Sequence, residues 1–130
     1  MAMNIRVDGN VAILSNFARL MNDPRYVDAA RDVREMLEQG IRNYVIELAG
    51  VKETGSSFLG VLMTITREIR SAGGEAVLAH PSRDVEKHLA MMQMDDYWDV
   101  FGTVDESIRF FRRNVDPHQD CPSRVIARES

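Results

Sequence analysis

The sequence predicts a single α/β domain: a four- to five-stranded mixed sheet, opened by an antiparallel hairpin and otherwise mainly parallel, packed with about four helices. Three observations carry that expectation. Two β-rich runs, NIRV and NVAILSNF, are separated by Asp8-Gly9, a dipeptide that tolerates the positive φ of a tight hairpin turn. Apolar strand-like runs then alternate with stretches whose apolar residues recur at helical spacing, and strands joined through helices pair in parallel. Finally, 130 residues at 45% hydrophobic content suffice for one core and are too few for two.

After the hairpin, Asn22, Asp23 and Pro24 signal a helix start. Tyr26, Val27, Ala30, Val33, Met36 and Leu37 form its apolar face, and Gly40 ends it. The run YVIEL at 44–48 is nearly continuous in apolar residues, as a strand buried on both faces requires. A short turn leads to a helix from about Ser56 to Ser71, with Phe58, Leu59, Leu62, Ile65 and Ile69 on its apolar side and Gly73-Gly74 at its end. The pattern repeats with strand EAVLA at 75–79, a helix over 82–92, a short strand near 100–102 and a helix over 105–113. The domain is therefore expected to span 1–113. Residues 114–130 carry two prolines, mixed charge and no period, and read as a C-terminal tail or strap whose Val125 and Ile126 could dock onto a neighbour.

Composition narrows the function. With 16 basic against 20 acidic residues, a net charge of -4 and no basic run of five, the chain offers no dedicated nucleic-acid surface. No apolar stretch approaches the roughly 20 residues that span a bilayer, and the N-terminus reaches a polar turn before a signal-peptide core, so a cytoplasmic location is expected. The single cysteine, Cys121, cannot form an internal disulfide, and nearby His118 gives it no evident catalytic pairing. His80, His88 and His118 match no zinc spacing, and the glycines form neither GxGxxG nor a phosphate loop. Asp95-Asp96 reads as a solvated turn and Asp105-Glu106 as a helix start favoured by the dipole. No metal, no cofactor and no enzymatic activity are expected.

The most informative stretch is 45–62, VIELAGVKETGSSFLGVL, where a strand passes through a polar turn into a helix opened by two serines. A helix start leaves backbone N–H donors without intrahelical partners. A serine there can cap the helix or carry a phosphate, whose charge of about -1.5 to -2 the donors and dipole tolerate. Either Ser56 or Ser57 fits both roles. A second cluster, Met91, Met92 and Met94 followed by Tyr97 and Trp98, fits core packing or a surface able to re-pack against a partner.

The junction resembles the STAS domain of the anti-sigma factor antagonists. The usual signature of that family is an apolar strand, a short turn, then Asp-Ser-Ser-Gly-Leu-Gly opening a helix. Here it stands as Gly55-Ser56-Ser57-Phe58-Leu59-Gly60, with glycine in place of the aspartate and Phe58 in place of the first glycine. The resemblance extends over roughly 4–113, including Gly50-Val51 after the strand, the helix through Arg67, the Ala72-Gly73-Gly74-Glu75 turn and the closing segment from Val100-Phe101 to Phe110.

It implies a STAS fold and a non-enzymatic regulator of transcription. Such a protein binds an anti-sigma factor that is itself a serine protein kinase and is switched by phosphorylation of the first motif serine, here Ser56, with Ser57 supporting the cap. The implied partner surface comprises Lys52, Glu53, Thr54, Gly55, Ser56, Ser57, Phe58 and Gly60. The alternative within the same fold is a STAS scaffold that acts without phosphorylation, by homodimer formation or STAS assembly through the 91–98 patch, Met94 included. A module holding a nucleotide or other anion at the same helix start is the expectation from a different class.

Overall fold

The computed structural model describes residues 3–20, 28–52 and 56–114. Five strands form one sheet: β1 (Asn4–Asp8), β2 (Val11–Ser15), β3 (Asn43–Glu47), β4 (Glu75–Ala79) and β5 (Val100–Phe101). They lie side by side in chain order, β1 and β2 antiparallel and the remaining pairs parallel. The described helices are α1 (Phe17–Leu20), α2 (Ala29–Glu38), α3 (Ser56–Ser71), α4 (Arg83–Met91) and α5 (Val104–Asn114).

The hairpin register pairs Asp8 with Val11, so the turn is Gly9-Asn10, one residue later than the sequence suggests. Gly9 holds φ +64 at the first turn position, as a two-residue hairpin with glycine first requires. A second departure follows β2. NVAILSNF reads as one strand, but the strand ends at Ser15, Asn16 turns the chain with φ 69, and Phe17 opens the short helix α1 with its ring fully buried. The described helices therefore include α1 in addition to the four expected. The expected helix start at Asn22, Asp23 and Pro24, with Tyr26 and Val27, lies outside the described residues, as does the segment 115–130.

Alternation of side chains along the strands divides the core in two. Ala12, Leu14, Tyr44, Ile46, Ala76 and Leu78 face α2, α3 and α4 in the larger cluster, which Phe17 and Trp98 complete. Val11, Ile13, Val45, Val77 and Ala79 face the other way, against Ile108, Phe110 and Phe111 of α5. Both faces of β2, β3 and β4 are covered, which explains their nearly unbroken apolar sequence. α3 contributes Phe58, Leu59, Leu62, Ile65 and Ile69 to the larger cluster, each worth about 1.5–3 kcal/mol on full burial.

Element ends are set by local chemistry. α3 closes in a paired-bond motif: Gly73, at φ +86, donates to the Arg70 carbonyl at 3.1 Å, and Gly74 donates to that of Ile69 at 2.9 Å. Gly74 also lies so close to the start of β3 that a Cβ there would run into the Arg42 carbonyl oxygen. α5 opens with a reciprocal cap. The Glu106 N–H donates to Thr103 Oγ1 at 3.1 Å, and the Thr103 N–H donates to Glu106 Oε1 at 3.1 Å, so the carboxylate of the Asp105-Glu106 pair that is held by the cap is Glu106.

A polar strut holds the 97–98 segment to α3. Arg70 Nε donates to Glu75 Oε1 at 2.8 Å, its NH2 group donates to the Tyr97 carbonyl at 2.7 Å, and its guanidinium stacks 4.7 Å from the Tyr97 ring centroid. The buried Trp98 Nε1–H donates to Thr66 Oγ1 at 2.8 Å.

Candidate functional site

The carboxyl ends of β2, β3 and β4 share a backbone trait. Each is followed within three residues by a residue in the left-handed region: Asn16 at φ 69, Gly50 at φ 81 and His80 at φ 55. The turns that leave this rim bend sharply, and the β3–α3 turn at its centre carries the serine motif. Leu48 extends the β3 pairing by donating to the Ala79 carbonyl at 2.9 Å, and Val51 then donates back to the Leu48 carbonyl at 3.1 Å. The Val51 side chain is 2% exposed, so the turn is pinned to the core before the chain emerges at Lys52, which is exposed.

Glu53, Thr54 and Gly55 lie outside the described residues. The backbone places Ser56 as the first residue of α3, directly at the carboxyl end of the sheet. Ser57 and Gly60 are exposed, one helical turn apart on the same side of α3. The first turn of α3 holds no acidic residue of its own to interact with the positive end of its dipole. A Cβ at Gly60 would meet nothing within 4 Å, and its φ is not left-handed, so nothing in the described fold requires glycine there.

Phe58 is placed otherwise than a partner anchor would be. It is 2% exposed and belongs to the larger core cluster, so its ring fills the interior and is withdrawn from the surface. The phenylalanine that replaces the motif's glycine is thus a packing residue. Met94 likewise does not join the junction: it is partly buried against the core and donates its N–H to the Leu89 carbonyl at 2.8 Å. The exposed members of the methionine cluster are Met91 at 82% and Met92 at 54%, while Trp98 is buried at 3%. Because Tyr97 sits on Arg70, near the end of α3, that contact and Ser56 lie at opposite ends of the helix, about 20 Å apart by helical rise.

Sequence reasoning placed Ser82 at a helix start and did not see its second bond, which is to the turn itself. The Ser82 hydroxyl donates to the Val51 carbonyl at 2.9 Å. Its signal in the sequence is only that of a cap, three residues before buried Val85. Among the described residues no group of three or more His, Cys, Asp or Glu side chains is arranged to hold a metal ion. No described helix is long and apolar enough to cross a membrane. A groove of about 550 Å³ along α5, lined by Phe101, Glu106, Arg109, Arg112 and Arg113, includes no residue of the junction.

A mixed sheet with an antiparallel hairpin, parallel crossovers and a serine-led helix at its central strand defines a small α/β domain. Comparison with known proteins makes this specific: the STAS domain model matches residues 5–107, and the chain belongs to the STAS domain family. A Thermotoga maritima protein described as a "putative anti-sigma factor antagonist" is 30% identical over 79 residues, covering 61% of this chain and 70% of that protein. The crystal structure of a Thermotoga maritima protein of the same description superposes with a TM-score of 0.68 at 25% identity, covering 85% of this chain and 95% of that one. A STAS domain protein from Planctomyces limnophilus shares the fold, with a TM-score of 0.68 at 18% identity over 82% of this chain and 95% of that one. The chain is an anti-sigma factor antagonist-like STAS protein.

Proposed function

We propose that this protein is a non-enzymatic regulator that binds a serine-kinase anti-sigma factor through a surface that includes the exposed Lys52, Ser57 and Gly60, and that phosphorylation of Ser56 switches the binding off. The observation that carries the reading is the position of Ser56: the first residue of a 16-residue helix, at the carboxyl end of the central strands, with no acidic side chain in the first turn. A phosphoryl group there gains the N–H donors of the helix start and places about -1.5 to -2 charge on the surface a partner must cover. Repulsion and desolvation then oppose docking while the core, anchored by Phe58 and Leu59, is untouched. Intact-mass and peptide mass spectrometry on the protein from its native cells tests the switch, with phosphate expected on Ser56. In binding assays with the kinase, Ser56→Asp is expected to abolish association and Ser56→Ala to preserve it. Two variants that bind as the parent does would end this reading.

One observation favours a second reading, a scaffold that acts without phosphorylation. Met91 and Met92 stand exposed, and adaptable apolar side chains of this kind suit a protein-protein contact. Met92→Glu would then change the oligomer size seen by light scattering, and an unchanged size would remove the support.

A further inference from the structure

Ser82 lies between α4 and the β3–α3 turn and bonds to both. In the extended conformation of a helix cap, at φ -73 and ψ 164, its Oγ accepts the Val85 N–H at 3.2 Å. Its O–H donates to the Val51 carbonyl at 2.9 Å, across thirty-one residues of sequence. A hydroxyl can hold both bonds because it has one proton to give and lone pairs to accept. Val51 is already fixed by its buried side chain and by its own N–H on the Leu48 carbonyl. The bond from Ser82 fixes its remaining polar group, immediately before the chain emerges at Lys52.

We infer that Ser82 is the positioning residue of the β3–α3 turn: it ties the Val51 carbonyl to the start of α4 and so sets the direction in which Lys52 and the serine motif leave the core. Its bearing on partner binding rests on the function proposed above, whereas the tether stands on the geometry alone. Chemistry separates tethering from capping. Ser82→Asp supplies a carboxylate that still accepts the Val85 N–H but has no proton for Val51 and sets negative charge against its carbonyl. Ser82→Thr keeps both donor and acceptor.

Amide hydrogen exchange, read residue by residue by NMR on the full chain, tests the tether. In Ser82→Asp the Val51 amide is expected to exchange about fivefold faster, the equivalent of one ordinary hydrogen bond, while the Val85 and Glu86 amides stay at parental rates. Ser82→Thr is expected to match the parent at all three. Unchanged Val51 exchange in Ser82→Asp overturns the inference, and so does a rise at Val51 and Val85 together, which would report loss of the cap. Affinity of the same variants for the serine-kinase anti-sigma factor reads the separate claim. Faster Val51 exchange with unchanged affinity would sustain the tether and refute its bearing on partner binding.

Discussion

Replacing Gly60 with alanine should stabilise this protein. Glycine inside a helix is about 0.5–1 kcal/mol less favourable than alanine, because the unfolded chain loses more backbone freedom and no side chain shields the helix. That cost is normally accepted where a Cβ would collide or where φ must be positive. Neither holds at Gly60, the fifth residue of α3: among the described residues nothing lies within 4 Å of the Cβ position, and its φ is not left-handed. The Gly60 carbonyl already accepts the Thr64 hydroxyl at 2.7 Å, a bond the added methyl leaves intact. The full propensity gain should therefore appear, about 0.5–1 kcal/mol, or roughly 2–4 °C in Tm for a domain of this size. Urea unfolding followed by the fluorescence of Trp98, the single tryptophan, measures it, with an unchanged m-value as the control. An unchanged or lowered midpoint would refute the argument and show that α3 does not run freely through Gly60. The same methyl lands on the proposed partner surface, so weaker binding by a more stable protein would identify what the glycine is for.

Thr66→Val should cost about 1–3 kcal/mol, because it leaves the buried Trp98 Nε1–H without its acceptor; urea midpoints of Thr66→Val and Thr66→Ser compared side by side check this, and equal losses would dismiss the hydrogen bond as the cause. Tyr44, fully buried with its hydroxyl donating to the Ile41 carbonyl at 2.9 Å, has its pKa pushed up to about 12 by burial, partly offset by Arg42. A raised acid pKa favours the neutral phenol in the fold, so this contribution is complete below the unfolded value near 10 and is lost as pH rises through about 12. Tyr44→Phe should accordingly lose less stability than the parent between pH 10 and about 12 in denaturation titrations, and parallel curves would contradict the assignment.

Where the sequence and the structure agree, periodicity and end signals were strong. The strands at 75–79 and near 100–102, the helix from Ser56 and the stop at Gly73-Gly74 were legible because each combines an apolar period with a glycine or cap. The structure also divides the labour of the two glycines: Gly73 supplies the left-handed φ and Gly74 the close approach to Arg42, which no local pattern distinguishes. α1 was hidden because Asn16 ends β2 by entering the left-handed region, a choice asparagine permits without demanding. At the candidate site, the serine-led helix was visible in the motif. The direction of Phe58 was not, since a residue in the first turn of a helix can face either way until its neighbours are known. Met91, Met92 and Met94 are alike in sequence, and only packing separates the exposed pair from the half-buried third. The Ser82 bond to Val51 and the Arg70 contacts with Glu75 and Tyr97 join distant segments, and long-range pairing of that kind leaves little trace in one chain.

The order of the strands across the sheet carries a consequence for how the molecule comes into being. Because β1 to β5 stand side by side in the order they are synthesised, each new strand can dock on the outer edge of what precedes it, and none has to be threaded between two already in place. A nascent chain that has emerged as far as β4 already owns the central rim, the β3–α3 turn and the first half of its tether. Ser82 follows and adds its bond to the Val51 carbonyl, so the surface proposed to meet a partner would mature during translation before α5 seals the opposite face of the sheet.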